Sequence, residues 1–144
     1  MKRMLVAVDG SKYSLEAVKA AAKLAADRKI ESVTLINVIQ VVASDVGPMV
    51  VKAPPEDIEA WEIFDKPKQI LKEAGVSAKL ILREGNPAYE IIQVAKEEGY
   101  DLIVVGERGL TAIESFLLGS VATRIVSHAP CSVLVVRPGF ENNA

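Results

Sequence analysis

Cysteine and histidine are almost absent from this sequence of 144 residues, which contains one of each. A lone cysteine cannot form a disulfide within the chain, so nothing in the sequence requires an oxidising compartment. One cysteine and one histidine also cannot build a Cys/His zinc site, and Cys131 with His128 is the single nucleophile and base pair of the usual type. The composition therefore argues against most zinc enzymes and most hydrolases.

Long apolar runs and an excess of positive charge are missing as well. No segment approaches the roughly 18 consecutive apolar residues of a membrane span, and the apolar stretch after the first basic residues is too short for a signal peptide. Lysine and arginine number 17 against 19 acidic residues, a net charge of -2. No global positive field is available to hold nucleic acid or an anionic membrane. We expect a cytoplasmic protein that binds neither.

The residues that are present suit one α/β domain. Half of them are hydrophobic and a quarter are charged, which is enough apolar material for a core. Five segments of strand length carry Val, Ile and Leu at successive positions, a pattern typical of parallel strands covered on both faces. These segments are 4–8, 33–39, 78–82, 102–105 and 132–136. We expect residues 1–144 to form a single doubly wound domain with right-handed crossovers.

Segments of helical period lie between the strands. Ser14 can cap a first helix whose apolar residues recur at intervals of three and four. A second segment, residues 56–74, contains Pro67, which should break or kink it. Pro87 is placed to start a third helix, and a fourth is expected over residues 113–127.

Small and polar residues follow two of the strands, where ligands bind in doubly wound sheets. Asp9 follows the first strand, and Gly106 and Gly109 follow the fourth, with Gly119 and Ser120 further on. Glycines after a strand let the backbone approach a ligand, and a helix N-terminus nearby favours an anion. An ordinary β-to-α turn uses glycine just as readily. Neither G-x-x-x-x-G-K-[ST] nor G-x-G-x-x-G occurs, so efficient phosphoryl transfer is hard to support.

The opening VAVDGS, the spacing Gly106-x2-Gly109-x9-Gly119-Ser120 and the closing LLGSVATRIVSHAPCSVLVVR resemble the nucleotide-binding branch of the universal stress protein family. The resemblance extends over residues 4–137. In that family the glycine spacing is associated with ATP or a related adenine nucleotide. The resemblance implies a five-stranded parallel sheet in the order 3-2-1-4-5, with helices on both faces, and a homodimer that pairs through the last strand.

The resemblance also implies which residues bind the nucleotide. They are Asp9, Val38, Gly106, Arg108, Gly109, Gly119, Ser120 and Val121. Asp9 would accept hydrogen bonds from the ribose hydroxyls, and the backbone around Val38 would meet the adenine edge. Gly106 and Gly109 would border the ribose and phosphates. Gly119, the Ser120 hydroxyl and the Val121 N–H would hold phosphate. Arg108 fits a phosphate contact and a solvated loop charge equally well.

Several of these residues have simpler structural explanations. Asp9 could do no more than cap the turn into the first helix, and Ser120 could equally be a helix N-cap. No third residue is evident to orient His128 and Cys131 as a catalytic pair, so we expect structural roles for both.

Two positions depart from the family pattern. Asn37 stands where many relatives have a histidine, and we expect it to be peripheral to the nucleotide contacts. Glu107 stands where a small, polar or basic residue is common. Its carboxylate would either repel the terminal phosphates or hold a Mg2+ ion that bridges them, and the sequence leaves both open.

The function that the sequence favours is that of a stress-response module that binds ATP or AMP. Binding would change its shape, oligomeric state or partner surface, for example by ordering the long irregular loop expected over residues 40–55. We expect no catalytic residues. One alternative is a slow ATP hydrolase, for which Asp9, Glu107 and Arg108 are the candidate groups. The other is an interaction protein that binds no nucleotide, against which the intact glycine spacing counts.

Overall fold

A computed structural model describes residues 2–40, 42–44, 47–49, 58–109 and 118–138, with 42–44 and 47–49 described by their backbone alone. In chain order the elements are β1 (Arg3–Ala7), α1 (Lys12–Arg28), β2 (Ser32–Ile39), β3 (Val42–Ser44), β4 (Gly47–Met49), α2 (Ile58–Trp61), a 3-10 turn (Glu62–Phe64), α3 (Asp65–Glu73), β5 (Ala78–Glu84), α4 (Pro87–Glu98), β6 (Leu102–Gly106), α5 (Ser120–His128) and β7 (Ser132–Val136).

The main sheet has five parallel strands in the order β5-β2-β1-β6-β7. Counted along the chain within this sheet, the order is 3-2-1-4-5, which confirms the prediction. β1 lies at the centre, where Met4 pairs with Val33 on one side and with Leu102 on the other. The winding direction therefore reverses between β1 and β6.

Helices cover both faces of the sheet. α1 and α3 pack together on one face, and α4 and α5 pack together on the other. Successive strand residues alternate between the two cores, so Leu5 belongs to the α4/α5 side and Val6 to the α1/α3 side. Both are fully buried. Burial on both faces explains why the strands have continuous apolar runs rather than alternating ones.

The first helix begins earlier than predicted. Its N-cap is Ser11, whose Oγ accepts a hydrogen bond from the Ser14 N–H at 3.1 Å. Ser14 lies inside the helix, and its hydroxyl donates to the Ser11 carbonyl at 3.0 Å. The prediction that Ser14 caps the helix is wrong because two serines three residues apart compete for that position. Gly10, with φ +85°, places Ser11 at the extended position that a cap requires.

The second helical segment is interrupted, but not at Pro67. The interruption is the 3-10 turn Glu62–Phe64 between α2 and α3. Pro67 lies in the first turn of α3, where an N–H has no partner within the helix, so the proline costs no hydrogen bond there.

Two further predictions of local structure need correction. Within the loop expected to be irregular, β3 and β4 pair as antiparallel strands, from Val42 with Met49 to Ser44 with Gly47. Residues 41, 45–46 and 50–57 lie outside the described residues. The fourth helix begins at Ser120, after the non-helical residues 118–119, and residues 110–117 of the predicted helix lie outside the described ones.

No helix within the described residues 2–40, 58–109 and 118–138 is long and apolar enough to cross a membrane.

Candidate functional site

A cavity of about 600 Å³ opens at the carboxyl ends of β1, β2 and β6, where the winding of the sheet reverses. Ligands bind at this point in doubly wound sheets, and the volume lies within the range of roughly 300 to 1,000 Å³ that is usual for small-molecule sites. The cavity contains every residue assigned to nucleotide binding from the sequence: Asp9, Val38, Gly106, Arg108, Gly109, Gly119, Ser120 and Val121.

The two carboxylate oxygens of Asp9 have different surroundings. Oδ1 accepts a hydrogen bond from the Ser11 N–H at 2.8 Å, which closes the turn between β1 and α1. Oδ2 lies against the loop that follows β6, which we call the glycine loop because it contains Gly109. A Cβ atom on Gly109 would be 2.9 Å from this oxygen. Asp9 therefore stabilises the turn with one oxygen and lines the cavity beside Gly109 with the other.

Gly106 is required by packing as well as by its place at the cavity. A Cβ atom there would lie 2.7 Å from both the backbone carbon and the carbonyl oxygen of Tyr13, in the first turn of α1. Atoms do not approach so closely, so any larger residue at the end of β6 would push this helix away. The sequence pattern indicates a close backbone approach at Gly106, but it does not reveal that the approach is to a helix.

Gly119 connects the start of α5 to the loop after β6. Its N–H donates to the Glu107 carbonyl at 2.7 Å, and a Cβ atom on it would lie 3.1 Å from Cα of Arg108. Gly119 is the N-cap of α5, so the alternative that Ser120 caps the helix is wrong. The cause is the extended backbone of Gly119 (φ -63°, ψ 161°), which makes Ser120 the first helical residue.

The first turn of α5 presents N–H groups at the cavity. Ser120, Val121 and Ala122 line it, and the first backbone bond of this turn runs from the Thr123 N–H to the Gly119 carbonyl at 2.9 Å. The N–H groups before Thr123 have no acceptor within the helix, and the N-terminal end of a helix carries partial positive charge. This wall of the cavity favours an anion.

Arg108 adds a cationic group to the same cavity. The residue is half-buried and lines the cavity, and its Nε is buried without a hydrogen-bond partner among the described residues. A buried N–H that forms no hydrogen bond costs free energy, and a charged one costs more.

The side chain of Glu107 does not line the cavity. Its carboxylate lies on the β7 side, where Oε2 is 3.8 Å from Nε of Arg137, and its side chain is 12% exposed. The Glu107 N–H donates to the Val136 carbonyl at 3.1 Å, which orients the residue toward β7. This orientation supports neither of the two sequence-based interpretations, repulsion of phosphates or a hold on Mg2+, because it places the carboxylate beside Arg137. Among the described residues, no group of three or more His, Cys, Asp or Glu side chains is arranged to hold a metal ion.

Asn37, which was expected from the sequence to be peripheral to the nucleotide contacts, lines the cavity. It is 8% exposed, and its side-chain Nδ2 donates to the Val8 carbonyl at 2.7 Å. The ends of β1 and β2 bring it to the cavity wall, and the expectation that it is peripheral to the nucleotide contacts stays a prediction. The sequence contained a signal for this role, because Asn37 is the one amide in the apolar run of residues 33–39. A buried amide needs a hydrogen-bond partner, so a contact with a neighbouring strand could have been expected.

The apolar part of the wall comes from both faces of the sheet. Ile63 in the 3-10 turn, Ile91 in α4 and Leu118 before α5 line the cavity, although none of them was expected there from the sequence. In the sequence these three residues look like ordinary apolar core residues, so nothing marks them as lining a cavity.

Cys131 and His128 do not line the cavity. His128 is exposed, with Nδ1 3.1 Å from the Arg124 carbonyl. Burial raises the pKa of the half-buried Cys131 thiol, and the negative charge of Asp101 raises it further. A raised pKa disfavours the reactive thiolate.

A family model, a relative in sequence and two solved structures all point to the same protein family. The model of the universal stress protein family matches residues 1–137. Universal stress protein YxiE of Bacillus subtilis is 37% identical over 145 residues, covering 94% of this chain and 98% of that protein. The structure of universal stress protein UspA from Lactobacillus plantarum is 25% identical, covers 94% of this chain and 97% of its own, and superposes with a TM-score of 0.79. A universal stress protein in complex with cAMP is 26% identical, with a TM-score of 0.72 and coverage of 94% of this chain and 96% of its own.

Proposed function

This chain belongs to the universal stress protein family, and on that premise we propose that it binds an adenine nucleotide, ATP or AMP, in the cavity at the ends of β1, β2 and β6. Residues 1–144 would act as one stress-response module in which the bound nucleotide changes the protein's shape or partner surface. The observation that carries the proposal is the anion-binding wall, where the buried Nε of Arg108 and the first turn of α5 line the same cavity.

The phosphate end of the ligand is assigned to this wall. The N–H groups of Ser120 and Val121, which have no acceptor within the helix, supply donors and the partial positive charge of a helix N-terminus. Arg108 supplies a full charge, and a phosphate oxygen would give its Nε the missing acceptor. A buried Nε fits a phosphate contact better than it fits a solvated loop charge.

The ribose and base are assigned to the opposite side. Oδ2 of Asp9 is available to accept from a ribose hydroxyl beside Gly109, because Oδ1 is engaged in the turn. Val38 lines the cavity beyond the end of β1, where its backbone would meet the adenine edge. The solved relative in complex with cAMP supports an adenine nucleotide as the ligand class.

Binding without rapid turnover is the activity that this site supports. Asp9 is the one carboxylate among the described residues that line the cavity, and its Oδ1 is engaged in the β1–α1 turn. Glu107, the other candidate base, faces Arg137. A base that is placed against the reacting group normally contributes several orders of magnitude in rate. The module would therefore retain its nucleotide or hydrolyse it slowly.

Self-association through β7 belongs to the same proposal. β7 is an edge strand of the five-stranded sheet, and its residues Val133, Leu134 and Val135 are half-buried. An apolar edge strand with unpaired backbone groups needs a cover. A second copy of the chain supplies one, in agreement with the pairing that the family resemblance implies.

The proposal is tested by identifying the ligand and weakening its phosphate contact. Mass spectrometry of the nucleotide released from denatured, freshly purified protein should detect an adenine nucleotide, and calorimetric titration should measure its affinity. Arg108→Gln should weaken AMP binding about 10-fold or more, the effect of losing a charge-assisted hydrogen bond. Arg124→Gln, on the exposed side of α5, is the matched control and should bind like wild type. No released nucleotide and no binding of AMP or ATP would contradict the proposal and favour the interaction protein.

A further inference from the structure

The hydrogen-bond ladder between β1 and β2 ends in an unusual way beside the cavity. The Val8 N–H donates to the Ile36 carbonyl at 2.8 Å. In a parallel ladder the next bond would run from the Val38 N–H to the Val8 carbonyl. The Val8 carbonyl instead accepts the side-chain amide of Asn37 at 2.7 Å, and the described residues include no backbone bond from Val38 to Val8.

The direction of the Val38 backbone follows from its neighbours. Along a strand, the N–H and C=O groups of successive residues point alternately to the two adjacent strands. The Ile36 carbonyl bonds toward β1, and the Ile39 carbonyl accepts from the Gly85 N–H at 2.9 Å on the β5 side. Because Val38 is two residues after Ile36, its N–H and C=O groups point to the same side of β2 as those of Ile36, toward β1. Because β1 ends at Ala7, the N–H and C=O of Val38 face the cavity that it lines.

Asn37 explains why the Val38 N–H has no backbone partner among the residues that the structure describes. A buried carbonyl without a donor costs free energy, so without Asn37 the Val8 carbonyl would take the donor that a regular parallel ladder offers, the Val38 N–H. The side-chain nitrogen of Asn37 must be the atom that faces Val8, because a carbonyl oxygen can only accept. The bond is buried, and it joins the residue that follows β1 to a residue near the end of β2.

We propose that Asn37 is a positioning residue that holds the N–H and C=O of Val38 open so that they can read the edge of the base. This inference rests on the proposed adenine-nucleotide site. Adenine presents an acceptor, N1, beside a donor, the 6-amino group, and these complement the N–H and C=O of one residue. Hypoxanthine presents the reverse, an N1–H beside a 6-oxo group, so both contacts are mismatched. A site with such fixed groups rejects the mismatched base because its polar groups are left unpaired.

Titration calorimetry with AMP and IMP tests the role of Asn37. Wild type should prefer AMP by about 10-fold or more, and Asn37→Leu should reduce that preference by roughly 3- to 10-fold, the value of one or two hydrogen bonds. Asn37→His keeps an N–H donor for Val8 and should retain the preference. Thr34→Val is the matched control, because it removes a buried hydrogen bond on β2, from Tyr100 Oη to Thr34 Oγ1 at 2.7 Å, away from the cavity.

Three results would overturn the assignment: an unchanged AMP-to-IMP ratio in Asn37→Leu, an equal fall in Thr34→Val, or an equal loss in Asn37→His and Asn37→Leu. Absence of AMP binding by wild type would instead refute the proposed function.

Amide hydrogen exchange of the nucleotide-free wild type gives a measurement that needs neither a variant nor a ligand. The Val38 N–H should exchange rapidly, and AMP should protect it. In Asn37→Leu the same N–H should be protected without AMP, because it would then bond to Val8. Protection of the Val38 N–H in the nucleotide-free wild type would overturn the inference.

Discussion

Asp9 and Gly109 lie in contact across the crevice between β1 and the loop after β6: a Cβ atom on Gly109 would be 2.9 Å from Oδ2 of Asp9. Positive φ angles do not explain this glycine, since the positive-φ glycines of the described residues are Gly10, Gly75, Gly85 and Gly99. Glycine is required at position 109 because the Asp9 carboxylate leaves no room for a Cβ atom. The contact joins the proposed ribose-binding carboxylate to the glycine loop, so a change at either residue should affect the ligand through the other.

Substitution of Gly109 by valine should be more damaging to AMP binding than loss of the Ser120 hydroxyl. The valine Cβ would displace the Asp9 carboxylate from the cavity, whereas Ser120→Ala removes at most one hydrogen bond, about 0.5 to 1.5 kcal/mol. Calorimetric titration of both variants gives the order, and thermal unfolding shows whether each is folded. If folded Gly109→Val binds AMP like wild type, the loop is merely a turn.

Hydrolysis of ATP should be slow and independent of Glu107. The Glu107 carboxylate faces Arg137 rather than the cavity, so Glu107→Gln removes no group that could act on a phosphate. Phosphate release with Mg2+ present should stay well under about one turnover per second, the low end of ordinary enzyme rates. Asp9→Asn is the comparison, since Asp9 does line the cavity. Robust turnover that Glu107→Gln abolishes while nucleotide still binds would make this residue catalytic.

A lysine at Leu134 should shift the protein toward monomer. Leu134 is half-buried in the edge strand β7, and a positive charge is costly to bury in an apolar interface. Light scattering measures the mass. Leu80→Lys is the matched control, because Leu80 is half-buried in the opposite edge strand β5 and packs against the same core. A wild type that is monomeric at micromolar concentration, or an equal shift in both variants, would contradict pairing through β7.

Acid should destabilise the protein partly through Asp101. Its Oδ2 accepts the N–H groups of Lys2 and Arg3 at 2.8 and 2.9 Å, and these bonds lower the pKa of Asp101. A pKa lowered by folding contributes stability above the unfolded value of about 3.9, and that contribution is lost as the pH falls through the folded value. Asp101→Asn should therefore reduce stability at pH 7 and flatten its dependence on pH below about 4.

Urea unfolding from pH 7 to pH 2 measures the effect at Asp101. Asp27→Asn, at an exposed position of α1, is the control. Parallel stability curves for wild type and Asp101→Asn over this range would refute the prediction.

Local sequence patterns predicted most of the sheet and the cavity. Continuous Val, Ile and Leu runs identify the five main strands because helices cover both faces of the sheet, which buries the central strands and half-buries most residues of the edge strands β5 and β7. Residues that follow parallel strands gather at one edge, so Asp9, Gly106 and Gly109 could be assigned to one place before their contacts were known. The strand order, in contrast, came from the family resemblance, because hydrophobic period does not specify which strands are neighbours.

The sequence by itself thus determined the five strands of the main sheet, the helical segments between them and the edge of the sheet at which polar residues collect. Only the tertiary structure decided which way Glu107 faces, that Gly106 packs on the backbone of Tyr13, and that Asn37 bonds to Val8. The physical reason is sequence separation. Period and composition report what a residue does within its own element, whereas Asn37 and Val8 are 29 residues apart and meet only when β1 and β2 pair in register.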